Sequence, residues 1–84
     1  MCKIFNIDVV IKQILDNYWK LDYNDIHISL SNSYCIRVTK DSSKILFEVD
    51  QEPLMSGCYI FCSQDLKEVF DWCYDNLNLD ILYY

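Results

Sequence analysis

The sequence has little of what marks catalytic loops or basic binding surfaces. Its 84 residues include one glycine, one proline and one histidine, and seven basic residues stand against thirteen acidic ones. A single glycine excludes a glycine-rich loop that cradles phosphate. The shortage of Lys and Arg removes the basic footprint that nucleic acids and anionic lipid surfaces require. We therefore expect no direct binding to nucleic acid or to a membrane.

Long hydrophobic runs are also missing. No run approaches the ~20 residues of a membrane span. The start of the chain does not predict a secretory signal, because Asn6 and Asp8 follow Ile4-Phe5 directly. The five cysteines are an odd number without the spacing of a disulfide framework. We expect reduced thiols that serve as small core residues in a cytoplasmic protein.

What the chain does contain is apolar and aromatic. Hydrophobic residues make up 52%, with seven Tyr, four Phe and two Trp, and the net charge is −6. This composition excludes intrinsic disorder. The length predicts a single domain over residues 1–84.

The first predicted element is a helix that begins after Asn6 and ends within residues 21–25. Asn6 is a favourable N-cap, and Asp8 suits the positive end of the helix dipole. Apolar residues recur at helical spacing and form one stripe. These residues are Ile7, Val10, Ile11, Ile14, Tyr18 and Leu21.

Three alternating segments follow, at residues 26–30, 34–39 and 45–49. Alternation of apolar and polar residues is typical of half-buried strands. A three-residue loop at 31–33 sets Ile28 opposite Ile36, and a two-residue loop at 41–42 sets Ile36 opposite Phe47. On the outer face these registers set His27 against Arg37 and Cys35 against Glu48.

Residues 58–62 are apolar throughout and predict a fourth strand. Two orientations remain open: either Tyr59 and Phe61 face the helices, or Cys58, Ile60 and Cys62 do.

A second helix follows, with Ser63 as its cap and Asp65 in its first turn. Its apolar stripe is Leu66, Val69, Phe70, Cys73 and Leu77. The segment 79–84 is too apolar for a free end and is expected to dock as a short strand.

The predicted order is therefore α-β-β-β-β-α. This order favours an α+β fold of two layers, in which both helices pack on one face of an antiparallel meander. The predicted core consists of Ile7, Val10, Ile14, Ile28, Ile36, Phe47, Leu66, Val69 and Phe70.

The central order of helix, three strands and helix resembles that of double-stranded-RNA-binding domains. Those domains begin their last helix with a Lys-rich cluster that meets phosphate. Here the same position has Gln64-Asp65-Leu66-Lys67-Glu68, which is acidic. The resemblance therefore extends to topology and does not imply RNA binding.

Catalytic and metal-binding arrangements are not evident. On a strand, Cys58 and Cys62 lie roughly 13 Å apart at ~3.3 Å per residue, whereas two thiolates on one zinc ion lie within about 4–5 Å. A Cys–His dyad would need His27, and the facing Arg37 disfavours the imidazolium ion. We expect no enzyme activity, no metal and no cofactor.

The outer face of the second helix is the candidate binding site. Asp65, Glu68, Asp71 and Asp75 lie opposite the apolar stripe, and Trp72 falls among them. An aromatic residue ringed by charge is typical of an interaction hot spot. The alternative is that Trp72 packs under the C-terminal segment and the acids form a solvated face.

These features favour a small protein-binding module that inhibits a partner by occupying a basic, nucleic-acid-binding surface. In size, acidity and composition the chain resembles phage-encoded inhibitors of host defence, including anti-CRISPR proteins. The resemblance implies a protein partner. The alternatives are an antitoxin or immunity protein, and a structural homodimer subunit that associates through Leu46 and the outward residues of strand 58–62.

Overall fold

The computed structural model describes residues 3–51 and 60–84, and within these ranges the chain has an α+β fold of two layers. Cys58 and Tyr59, which belong to the predicted fourth strand, lie outside the described ranges. The elements in chain order are β1 (Lys3–Phe5), α1 (Ile7–Asp16), a 3₁₀ helix (Tyr18–Asp22), β2 (Ile26–Ser29), β3 (Tyr34–Asp41), β4 (Lys44–Gln51), β5 (Phe61–Ser63), α2 (Leu66–Leu77) and β6 (Ile81–Tyr83).

Helix α1 begins as predicted and ends earlier than predicted. The side chain of Asn6 accepts a hydrogen bond from the Val9 backbone N–H at 3.3 Å, which confirms the N-cap. The helix ends at Asp16 instead of continuing to Leu21. At the break, the Asn17 side-chain amide donates to the Gln13 carbonyl at 2.8 Å. Because such local bonds compete with the helical ladder, the chain continues as a 3₁₀ helix.

The main sheet has four antiparallel strands in the order β2-β3-β4-β5. The predicted first hairpin is confirmed, since Ile28 lies opposite Ile36. The predicted second register is wrong by two residues: Ile36 faces Val49, and the loop is Ser42-Ser43. A shift of two leaves every side chain on its own face, so alternation alone does not distinguish the two registers.

The observed register brings opposite charges together on the outer face of the sheet. Arg37 lies opposite Glu48, and Asp41 lies opposite Lys44. Cys35 consequently faces Asp50, and the predicted pairing of Cys35 with Glu48 is wrong. Cross-strand charge pairs of this kind favour one register over another.

Both helices contribute to one hydrophobic core on the inner face of the sheet. Of the predicted core, Val10 and Ile28 are only half-buried. Ile28 lies on β2, the edge strand, where fewer neighbours cover it. The other predicted core residues are buried: Ile7, Ile14, Ile36, Phe47, Leu66, Val69 and Phe70.

Strand β5 decides the orientation that the sequence left open, and helix α2 has a different cap from the predicted one. Phe61 lies opposite Val49, and Cys62 lies opposite Glu48, so Phe61 faces the helices. The cap of α2 is Asp65 and not Ser63: the Asp65 carboxylate accepts from the Lys67 backbone N–H at 3.0 Å. The predicted cap is wrong because Asp65, the residue next to the first helical position, has a stronger acceptor.

The C-terminal segment docks as the short strand β6, as expected. Its partner is β1, which was not predicted, and the two strands pair in parallel with Ile4 opposite Leu82. The rings of Phe5 and Tyr83 stack on Phe70 of α2, with centroids 4.8 Å and 5.7 Å away. This stacking fixes the pair of strands to α2.

None of the helices in residues 3–51 and 60–84 combines the length and the apolar character needed to cross a membrane.

Candidate functional site

The exposed side of α2 carries a row of carboxylates. At about 100° per residue, Glu68, Asp71 and Asp75 lie opposite the buried stripe, and all three are exposed. We call these three residues the acidic ridge. Trp72 lies on one flank of the ridge and Tyr74 on the other. The predicted site residues therefore share one surface, with Asp65 at its N-terminal end.

Two carboxylates of the acidic ridge are held by neutral donors. The Ser63 hydroxyl lies 3.1 Å from the Glu68 carboxylate and donates to it. The Tyr83 hydroxyl donates to Asp71 at 2.7 Å, and this hydrogen bond raises the pKa of Tyr83. A phenol with a raised pKa stays protonated at neutral pH. These bonds orient the carboxylates without cancelling their charge.

Among the described residues, no cation forms an ion pair with the acidic ridge. In the described ranges, the ion pairs join Arg37 to three acids of the sheet region and Lys40 to Asp22. Helix α2 and its cap residue carry four acidic side chains, those of Asp65, Glu68, Asp71 and Asp75, and one basic side chain, that of Lys67. The surface of α2 is therefore a concentrated source of negative potential.

Trp72 is half-buried. Its ring stacks on Phe61 of β5, with centroids 4.7 Å apart and planes within 8°. It also packs against the hydrophobic core. The C-terminal strand instead packs near Phe70. One face of the indole is thus covered by Phe61, and helical spacing places Trp72 next to Glu68 and Asp75 of the acidic ridge.

The outer face of the sheet holds a charge cluster that the sequence analysis did not identify. Arg37 contacts Glu48 at 2.8 Å, Asp50 at 3.3 Å and Asp25 at 3.7 Å. Burial raises the pKa of Asp50, and the Arg37 charge opposes this shift. The hydrogen bond to Glu48 raises the pKa of Arg37. These acids are paired within the fold, so they offer less net charge to a partner than the ridge does.

Asp50 has an incomplete set of partners. Asp50 is 3% exposed, and neither of its carboxylate oxygens makes a hydrogen bond, although the Arg37 guanidinium lies 3.3 Å away. No sequence pattern indicates this cluster, because its four charged residues are spread over positions 25 to 50. Recognition of the cluster requires the correct β3–β4 register.

Two observations bear on the chemistry of the described thiols and acids. Burial raises the pKa of Cys73 to about 11, so its thiol is not a nucleophile near neutral pH. Within residues 3–51 and 60–84, no group of three or more His, Cys, Asp or Glu side chains could hold a metal ion. Cys58 lies outside the described ranges, so its predicted separation from Cys62 stays a prediction.

Exposed apolar residues form a second feature beside the acidic ridge. Ile4, Tyr74 and Leu82 are 65%, 56% and 55% exposed. We call these residues the Tyr74 patch. Of the residues expected to support a homodimer, Leu46 and Cys62 are half-buried, and Ile60 is 44% exposed. Helical periodicity places Tyr74 outside the core, but Ile4 required knowledge of β1.

The geometry of the acidic ridge and the Tyr74 patch is the basis for assigning a function, since no protein-family model, curated protein or solved structure matches the chain.

Proposed function

We propose that this protein is a protein-binding module that acts by occupying a basic surface of its partner through the acidic ridge of α2. The observation that carries the proposal is the state of the ridge carboxylates. Glu68 and Asp71 are oriented by a serine and a tyrosine hydroxyl, and no cation in the described ranges neutralises them. Pre-oriented charge that is not compensated within the fold favours association with opposite charge.

In its most specific form, the proposal is inhibition of a nucleic-acid-binding protein. Such a partner presents Lys and Arg side chains arranged for phosphates. A row of carboxylates on a rigid helix meets the same side chains and excludes the nucleic acid. The activity requires binding and no bond-making step, so the protein acts without catalysis.

The test compares two charge reversals at equivalent positions. Asp75→Lys changes the acidic ridge, and Asp16→Lys is the matched control on α1. Both residues are exposed acids in the last turn of a helix, where a lysine suits the helix dipole. Both variants are therefore expected to fold, and both change the net charge equally.

The wild type and the two variants serve as baits in extracts of the producing cells. We expect a basic protein that the wild type and Asp16→Lys retain and that Asp75→Lys loses. Surface kinetics with that purified partner should then show slower association for Asp75→Lys, and raised salt should reduce the difference. Equal losses for both variants would mean that total charge matters and the acidic ridge does not.

The sequence leaves two interpretations of Trp72 open, a partner-binding residue and a residue packed within the fold. Because the ring stacks on Phe61 and packs on the core, Trp72→Ala removes buried contacts and lowers stability whether or not it touches a partner. A binding measurement on this variant is therefore interpretable only beside its thermal melt.

A further inference from the structure

The outer face of the β1–β6 pair is apolar where a solvent-facing surface is usually polar. Ile4 and Leu82 lie directly opposite each other in the parallel register, and both are more than half exposed. Their neighbours Phe5 and Tyr83 point inward and stack on Phe70. Exposed apolar residues that adjoin one another mark interaction surfaces more often than isolated ones do.

Tyr74 of α2 lines two depressions. One is about 210 Å³ and is lined in part by Asp71, Tyr74 and Leu82. The other is about 270 Å³ and is lined by Tyr74, Asn78, Leu79 and Asp80. Since a cavity of about 150 Å³ accommodates benzene, each depression has room for one apolar side chain.

The walls of these depressions are held in place. The Tyr83 hydroxyl donates to Asp71 at 2.7 Å and ties β6 to α2. The stacked rings of Phe5, Phe70 and Tyr83 lie beneath. A surface that is ordered before binding loses less conformational freedom when a partner arrives.

The charges beside the two depressions indicate which kind of partner the Tyr74 patch can bind. Asp71 borders the first depression and Asp80 the second, and none of the described residues that line them is basic. A second copy of this chain would bring its own acids against these two carboxylates, and like charges at close range oppose association. A partner segment with an apolar side chain between basic residues satisfies both the depressions and the acids.

We propose that the Tyr74 patch binds an apolar side chain of a protein segment whose flanking Lys or Arg residues meet Asp71 and Asp80. The inference rests on the proposed function and specifies its partner: the basic surface met by the acidic ridge carries an apolar anchor beside it. The anchor is received at Tyr74 and Leu82, on the opposite flank of the ridge from Trp72.

Blocked tripeptides test this with the intact protein. The probes are Lys-Leu-Lys, Lys-Ala-Lys and Glu-Leu-Glu, each titrated into labelled protein while backbone amide signals are followed by NMR. We expect Lys-Leu-Lys to shift the signals of Tyr74 and Leu82 saturably. Lys-Ala-Lys should bind about tenfold more weakly or worse, because it buries fewer methylene groups. Glu-Leu-Glu should not bind.

Two variants and a control complete the test. Tyr74→Ala and Leu82→Asn alter exposed side chains, so both variants should fold. Each should lower the affinity for Lys-Leu-Lys by about tenfold. Trp19→Ala is the control, because Trp19 is 61% exposed on the 3₁₀ helix. It should leave the affinity unchanged.

Several results would overturn the patch proposal. They are equal binding of Lys-Leu-Lys and Lys-Ala-Lys, unchanged affinity in Tyr74→Ala, and absence of binding by both lysine peptides. A dimer in sedimentation that Leu82→Asn dissociates would identify a second copy as the occupant instead. The proposal for the acidic ridge is tested by a separate experiment, the comparison of Asp75→Lys with Asp16→Lys.

Discussion

On the outer face of the sheet three carboxylates surround one guanidinium, whereas on the outer face of α2 the three carboxylates of the acidic ridge form no ion pair with any residue of the described ranges. Glu48, Asp50 and Asp25 lie within 4 Å of Arg37. Glu68 and Asp71 are held by hydroxyl groups. The first arrangement uses charge within the fold, and its removal should affect stability. The second leaves charge outward, and its removal should affect binding.

The largest effect is expected at Arg37. Arg37→Met leaves Glu48 and the buried Asp50 without a cation, and breaking a buried ion pair in this way costs about 3–5 kcal/mol. Chemical denaturation at neutral pH measures the loss. The matched variant is Lys67→Met on α2, which should change stability by under ~0.5 kcal/mol, as exposed sites usually do. Similar losses for both would remove the distinction between the two faces.

A core substitution sets the scale for this comparison. Ile36 is fully buried on the inner face of β3, directly behind the charged surface. Ile36→Ala should lower the free energy of unfolding by about 2–5 kcal/mol, because it removes buried methylene groups and leaves a cavity. A loss below ~0.5 kcal/mol would mean that the inner face is not the core. The same denaturation experiment measures it.

Asp50 should give the sheet face a pH dependence. Because burial raises its pKa, the native state takes up this proton at a higher pH than the unfolded chain does. That stabilising contribution is complete below the unfolded pKa and is lost as the pH rises through the native one. Wild type should therefore gain stability relative to Asp50→Asn as the pH falls from neutral towards 4. The groups that face Asp50 and share in the effect are Arg37, Glu48, His27 and Asp25.

Denaturation at a series of pH values in both proteins gives the test. Parallel profiles would show that Asp50 has the same pKa folded and unfolded, and a widening difference towards acid confirms the shift.

The smallest stability effect is expected on the acidic ridge. Asp71→Asn removes the charge but keeps an oxygen that accepts from the Tyr83 hydroxyl, so stability should change by under ~0.5 kcal/mol. Asp71→Ala also removes the acceptor and should cost about 1 kcal/mol. Thermal melts of the two variants separate the hydrogen bond from the charge. A large loss of stability in Asp71→Asn would mean that the charge of the acidic ridge stabilises the fold, as the Arg37 cluster does.

The same two faces show which features of the structure sequence patterns can predict. Helical periodicity placed the acids of α2 on one surface because it depends on one element alone. The Arg37 cluster depends on strand pairing, and alternation fixes which face a residue occupies but not its partner across the sheet. The expected β3–β4 register set Cys35 against Glu48, so Arg37 was not matched with the acid it binds.

Two further differences have the same origin. Strand β1 is three residues long, which is too short to show a period, and its pairing with β6 joins distant parts of the sequence. Trp72 lies at the edge of the helical stripe, where periodicity does not decide between core and surface. Its stacking on Phe61 depends on the face that β5 presents, which the continuous apolar run at 58–62 left open.

The parallel pairing of β1 with β6 has a kinetic consequence. Lys3 and Ile81 are partners in this pair, so it can form only after nearly the whole described chain has been brought together. Bringing together residues so far apart in the sequence costs conformational entropy, because a long loop has to close. Such contacts therefore form late in folding. The amides of Lys3 and Tyr84 should exchange with solvent before those of β3 and β4, through local opening that leaves the main sheet intact. A partner held across Ile4 and Leu82 would bind the closed pair alone and would slow that exchange.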